Sequence, residues 1–233
     1  MPDCVSRRMM KLTKIAAILA IAALAVMAAV TASASASAKL CSTSGTGNAC
    51  ESGHGKVYTG KIVETLKANT QATLAATGAG ATSILKCSAS TTEGEIKSGE
   101  TGTGVITSQT FSTCTSETVC SGATTVATSA STGAPWNMTA TTTTAGISNT
   151  NGRMDVTGTD ITFTLACIGI PICTYKATNP RFDVTGSDVI NGAALTSESV
   201  VLTRTSGSES TCGTDANWSA TYVATTPSTL MIE

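Results

Sequence analysis

Ile161-Thr162-Phe163-Thr164-Leu165-Ala166-Cys167 decides the fold class of this chain. Its large apolar residues fall on one face and its threonines mostly on the other, the period-two pattern of a half-buried β-strand. Weaker versions occur at 61–66, 72–76, 82–89, 105–114, 121–129, 136–143, 200–204 and 218–223. Clusters of Gly, Asn, Pro and Ser separate most of them at intervals of about ten residues, and no segment after residue 38 carries a long helical stripe. This rhythm predicts an all-β fold, a disulfide-braced antiparallel β-sandwich or partly open barrel, immunoglobulin-like in style.

The N-terminal stretch gives an address. Arg7, Arg8, Lys11 and Lys14 precede an uncharged apolar run from Ile15 to Val30, and alternating Ala and Ser follow up to Ala38. This is the layout of a cleaved secretory signal, bacterial in style. The apolar run has 16 residues, short of the roughly 20 needed to cross a bilayer as a helix. The expected organisation is a signal peptide at 1–38, cut after Ala38, and one secreted β domain at 39–233. Thr132-Gly133-Ala134-Pro135 is a possible sub-boundary. The protein is then extracellular or at the cell surface, with no membrane association after cleavage.

Past Ala38 there are 195 residues, with 10 Lys and Arg against 14 Asp and Glu. A mildly acidic chain without a basic cluster lacks the electrostatic footprint of a nucleic-acid binder. Ser and Thr make up 65 of those residues, so the surface is polar mainly through hydroxyls, and Thr suits the pleated strand through its branched Cβ. The partner this implies is an extracellular ligand or a cell-surface component.

Removing the signal also removes Cys4 and leaves Cys41, Cys50, Cys87, Cys114, Cys120, Cys167, Cys173 and Cys212. In an oxidising compartment these predict four disulfides. Eight cysteines allow 105 pairings. Proximity along the chain suggests Cys41 with Cys50, Cys114 with Cys120, and Cys167 with Cys173, leaving Cys87 for Cys212.

A repeat lies in the second half. Thr150-Asn151-Gly152-Arg153-Met154-Asp155-Val156-Thr157-Gly158-Thr159-Asp160-Ile161 recurs 28 residues later as Thr178-Asn179-Pro180-Arg181-Phe182-Asp183-Val184-Thr185-Gly186-Ser187-Asp188-Val189, with eight of twelve positions identical. Each copy reads as a strand, a Thr-Gly turn and a second strand, a duplicated hairpin. Asp155, Asp160, Asp183 and Asp188 form a calcium candidate, because hard cations want several carboxylate oxygens on turns. The competing reading has these Asp side chains bonded to their own turn backbones. Neither copy has the Asp/Asn ladder and terminal Glu of a calcium loop.

The inventory for catalysis is thin. His54 is the only imidazole, set in the Gly-rich segment Glu51-Ser52-Gly53-His54-Gly55, where a solvated loop residue is the simpler reading than a base for a nucleophile. No nucleophile elbow, zinc-binding His pair, phosphate loop or dinucleotide fingerprint occurs, and no cofactor is expected. Two carboxylates are enough for a glycosidase, and Glu93 with Glu95, or Asp155 with Asp183, could supply them. The few aromatic residues fall mostly within strand patterns and read as core.

Ala134-Pro135-Trp136-Asn137, the spaced cysteines, and the closing Asn217-Trp218-Ser219-Ala220-Thr221-Tyr222-Val223 with Pro227-Ser228-Thr229-Leu230 resemble a group of exported, Thr-rich, cysteine-containing proteins of high-GC Gram-positive soil bacteria. The resemblance covers most of the chain past the signal. It implies export and a β fold and carries over no site residue. In composition alone the chain is also similar to the disulfide-bonded carrier apoproteins of enediyne chromophores. The expected function is a non-catalytic binding or structural role outside the cell. A carrier of a small apolar ligand and a secreted glycan hydrolase with paired carboxylates are the alternatives.

Overall fold

The computed structural model describes residues 38–50, 55–77, 84–116, 120, 122–142, 151–158, 161–178, 180–185, 194–196 and 200–233. Its strands are Leu40–Ser42 (β1), Lys56–Val57 (β2), Gly60–Leu66 (β3), Ala72–Thr77 (β4), Ile84–Ser98 (β5), Thr103–Ser116 (β6), Thr124–Thr128 (β7), Trp136–Thr142 (β8), Asn151–Thr157 (β9), Ile161–Cys167 (β10), Ile170–Ala177 (β11), Arg181–Thr185 (β12), Ala194–Thr196 (β13) and Val200–Ser206 (β14). A four-residue helix, Glu209–Cys212 (α1), precedes Asp215–Ser219 (β15), Thr221–Thr226 (β16) and Met231–Ile232 (β17).

Many of these strands are halves of longer ones. β3 and β4 lie end to end along the same edge of β5, with Lys61 opposite Glu95 and Ala72 opposite Cys87. In the same way β7 continues into β8, β9 into β10, β11 into β12, β13 into β14, and β15 into β16. With the long β5 and β6 these make eight antiparallel wall strands, each paired to its neighbour in chain order. The ring closes where Asp215–Ser219 runs along Thr77–Thr73 and Tyr222 lies opposite Leu66. The result is a closed eight-stranded antiparallel barrel.

The expectation of an all-β, antiparallel, disulfide-braced fold is met. Of the two expected forms the barrel is the one present, closed rather than partly open; the sheet does not divide into two layers, and it follows a simple meander rather than an immunoglobulin order. The first and last wall strands pair, so no edge remains between them. Eight strands enclose a space just wide enough for side chains to fill. The core accordingly lies inside the ring, with Ile62, Leu74, Leu85, Ile96, Met138, Val156, Ile161, Leu165, Tyr175 and Leu202 all buried. The alternation read at 161–167 is the inward face of β10: Ile161, Phe163 and Leu165 are buried between half-buried threonines. Residues 132–135 connect β7 to β8 within one wall strand and divide nothing.

One end of the barrel is closed by a small sheet in the order β17-β1-β2. Leu40 donates its N–H to the Gly99 carbonyl at 2.7 Å, and the backbones of Lys39 and Glu233 bond to each other in both directions at 2.7 and 2.9 Å. Ala38, Leu40, Leu230 and Ile232 are buried there as part of the main core. Gly152 makes room for this cap, since a Cβ at that position would lie 2.7 Å from the Ile232 side chain.

Three of the four disulfides brace the opposite half. Cys87 joins Cys114, Cys120 joins Cys167, and Cys173 joins Cys212, while Cys41 joins Cys50 in the cap. Only the last matches the pairing suggested by proximity. The other three expected pairs fail because register, not separation along the chain, decides which cysteines meet. β5 and β6 place Cys87 directly opposite Cys114. Across the β10–β11 hairpin Cys167 faces Ile170, and Cys173 faces Leu165.

The repeat is real, but its first copy is not a hairpin, and the second half of its second copy, residues 186–189, lies outside the described residues. β9 and β10 do not pair with each other; they run in line, with the Thr-Gly segment at the joint between them. The two copies pair instead with one another, β9 antiparallel to β12, with Asp155 opposite Arg181 and Asp183 opposite Arg153.

Candidate functional site

Among the described residues, one carboxyl lies inside the barrel where the alternation calls for an apolar side chain. β3 alternates inward Ile62 and Glu64 with outward Lys61 and Val63. Glu64 therefore points into the ring, flanked by Thr92 of β5 on one side and Ala224 of β16 on the other. Only 5% of its surface is exposed, and its Oε1 is buried without a hydrogen-bond partner. Burial penalises the charged form and pushes its pKa up to about 8. The carboxyl is thus mainly protonated at neutral pH when nothing compensates its charge.

Beside it runs a polar network across β16, β5 and β6. Ser90 donates its hydroxyl hydrogen to the Thr110 carbonyl at 2.8 Å. That hydrogen being spent, the 2.8 Å contact between Ser90 and Tyr222 has the tyrosine hydroxyl as donor. The Gln109 amide nitrogen donates to Ser90 Oγ at 2.9 Å and to Tyr222 Oη at 3.0 Å. Thr92 donates to Gln109 Oε1. Burial raises the Tyr222 pKa, opposed by its bonds to Ser90 and Gln109 and reinforced by the Glu64 charge.

Glu64, Thr92, Gln109 and Tyr222 border a cavity of about 20 Å³, whose other walls are Ile106, Trp136, Met154, Val156 and Trp218. That is space for a single water. A second interior cavity, of about 10 Å³, lies between Leu74, Leu85, Phe111, Phe163 and Trp218. The aromatic layer between them is continuous: the Phe163 ring centre is 5.3 Å from Trp218 and 6.0 Å from Trp136, and Trp218 lies 6.3 Å from Tyr222. Trp136 directs its indole N–H to Ser129 at 3.1 Å.

The described carboxylates singled out from sequence do not line this cavity. Glu93 and Glu95 project from the outer face of β5 and contact Lys61 and Lys97 respectively. Asp155 sits on the outer face of β9 with its Oδ1 3.0 Å from Arg181 Nε. The register places Asp155 and Asp183 opposite arginines rather than opposite each other. Asp160, Asp188 and His54 lie outside the described residues. Among the described residues Glu64 is the one carboxylate lining the cavity, so none of them supplies the second acid of a glycosidase pair beside it.

No protein family, curated protein or solved structure matches this chain.

Sequence reasoning passed over Glu64, Gln109 and Tyr222. The signal was present in Ile62-Val63-Glu64-Thr65-Leu66, where a carboxylate occupies the inward phase between two large aliphatic residues. Such a position marks a buried charge as soon as the segment is read as a strand.

Proposed function

We propose that this chain is a secreted or cell-surface β-barrel with a non-catalytic binding or structural role. The observation that carries this reading is the set of four disulfides, which take up all eight cysteines after residue 38. Such bonds persist outside the reducing cytosol, and they brace a surface rich in hydroxyls. The charged start of the chain with its apolar run, and the resemblance to exported Thr-rich proteins, support the same address. A carrier of apolar ligands has less support, because the interior cavities of about 20 and 10 Å³ fall far below the roughly 300 Å³ of an ordinary ligand pocket, and the larger open hollow of about 750 Å³ is lined by polar residues such as Asn69, Gln71 and Ser88. Among the described residues no helix is long and apolar enough to cross a membrane.

The burial of Ala38 in the cap supports a cut earlier than Ala38. Ala38 is fully buried, and its N–H reaches the Ala140 carbonyl at 3.4 Å. A cut after Ala38 would remove a core residue, whereas one after Ala36, within Ala34-Ser35-Ala36, keeps it.

The test is expression of the whole chain in a bacterial host, followed by fractionation, N-terminal sequencing and thiol alkylation. Recovery outside the cytosol with a new start at Ser37 and no reactive thiol is the expected result. A full-length cytosolic product with free thiols would overturn the assigned address, and robust turnover of a defined substrate would overturn the non-catalytic role.

A further inference from the structure

Glu64 cannot draw on its network neighbours for hydrogen bonds. Ser90 gives its hydrogen to Thr110, Tyr222 to Ser90, Thr92 to Gln109, and the Gln109 amide gives to Ser90 and Tyr222. What these groups can still offer the adjoining cavity is lone pairs, at Tyr222 Oη and Gln109 Oε1. Trp136 and Trp218 also line the cavity, and the face of an indole attracts positive charge. The orphaned Glu64 Oε1 is more than nine-tenths buried in the same place. A buried carboxyl and oxygen lone pairs therefore border a space the size of one water.

We infer that this cavity is a binding site for a single desolvated monovalent cation of the size of ammonium or potassium, paired with the Glu64 carboxylate. A buried carboxylate is costly alone and tolerable when paired. As the cation enters, the carboxyl proton leaves to solvent, so net charge inside the barrel is conserved. A divalent ion is disfavoured because calcium sites gather six to eight oxygens and several carboxylates, whereas this site offers one carboxylate. Quaternary ammonium ions are too large for about 20 Å³.

The test uses the purified oxidised protein, exchanged into a tetramethylammonium buffer. Melting is followed as ammonium, potassium, sodium or tetramethylammonium chloride is added at matched ionic strength. Above the dissociation constant, ammonium or potassium should raise Tm by about 3–5 °C for each tenfold increase in concentration. Tetramethylammonium should have no such effect, and Glu64→Gln, which keeps the shape without the charge, should abolish the response. A second readout avoids reliance on a variant: nitrogen-15 ammonium bound to the wild-type protein should show magnetisation transfer to indole ring protons. An equal response to all four salts, a response undiminished in Glu64→Gln, or no transfer would overturn the site. That failure would leave the proposed extracellular role standing, because the role rests on the disulfides.

Discussion

Asp155 and Arg181 occupy opposite offsets from the centre of two copies of one motif, one residue after it and one residue before it, and the antiparallel pairing of the copies brings them together, Oδ1 to Nε 3.0 Å. Any Arg-x-Asp sequence paired antiparallel with itself about its middle residue sets each arginine opposite the other copy's aspartate. Here Met154 and Phe182 are the middle residues, and Arg153 lies opposite Asp183 in the second pairing. The repeat thus encodes its own register. Arg181 is about two-thirds exposed, so the contact specifies register more than it stabilises.

Asp155→Asn should consequently cost less than about 1 kcal/mol in urea melts. Asp155→Arg should cost more, because it sets like charges directly opposite across the strands. Adding Arg181→Asp should restore most of the loss. A swapped double variant no more stable than Asp155→Arg alone would show that the pair has no part in register.

Glu64 makes stability depend on pH in an unusual direction. A carboxyl whose folded pKa is about 8, above its unfolded value near 4.3, binds more proton in the folded state between those limits. Its contribution is full below the unfolded pKa, is lost as pH rises toward 8, and levels off beyond. In potassium- and ammonium-free buffer, the difference in unfolding free energy between wild type and Glu64→Gln should fall by up to about 1.4 kcal/mol per pH unit between pH 5 and 8. Parallel curves for the two proteins would contradict this.

Non-reducing peptide mapping should return Cys87–Cys114, Cys120–Cys167, Cys173–Cys212 and Cys41–Cys50. The separations of 47 and 39 residues predict losses of about 4 kcal/mol when either long link is replaced by paired serines. The nine-residue link in the cap predicts about 2.5 kcal/mol. Denaturant midpoints of the paired variants give the order directly.

The hairpin between β10 and β11 turns on Ile168 and Gly169, at φ 51° and 79°. Two positive φ values in a two-residue loop are those of a type I′ turn, which favours Asn-Gly and strains a β-branched residue. Ile168 is 72% exposed, so little apolar burial is given up by changing it. Ile168→Asn should raise stability by roughly 1 kcal/mol, read as a higher urea midpoint with an unchanged slope.

What could be read from the sequence was whatever depends on neighbours along the chain. β10 spans the very segment whose alternation was clearest, Ile161–Cys167, and β3 and β8 begin or end within a residue of expectation. Closure was not legible, because it depends on Tyr222 finding Leu66 across about 150 intervening residues. β1, β2 and β17, of two or three residues, are too short to show a period. Glu64 was hidden for a different reason: its identity says surface, and only its phase between Ile62 and Leu66 says interior.

The cap sheet pairs Leu40 with Ile232 and Cys41 with Met231, so the first and last described strands lie side by side at one pole. A tether fused ahead of Ala38 or behind Glu233 would leave from that pole alone. Anchored by either end, the barrel would hold its three-disulfide pole outward, farthest from the anchor. New termini could also be opened at the far hairpins, with a short peptide bridging the old ones.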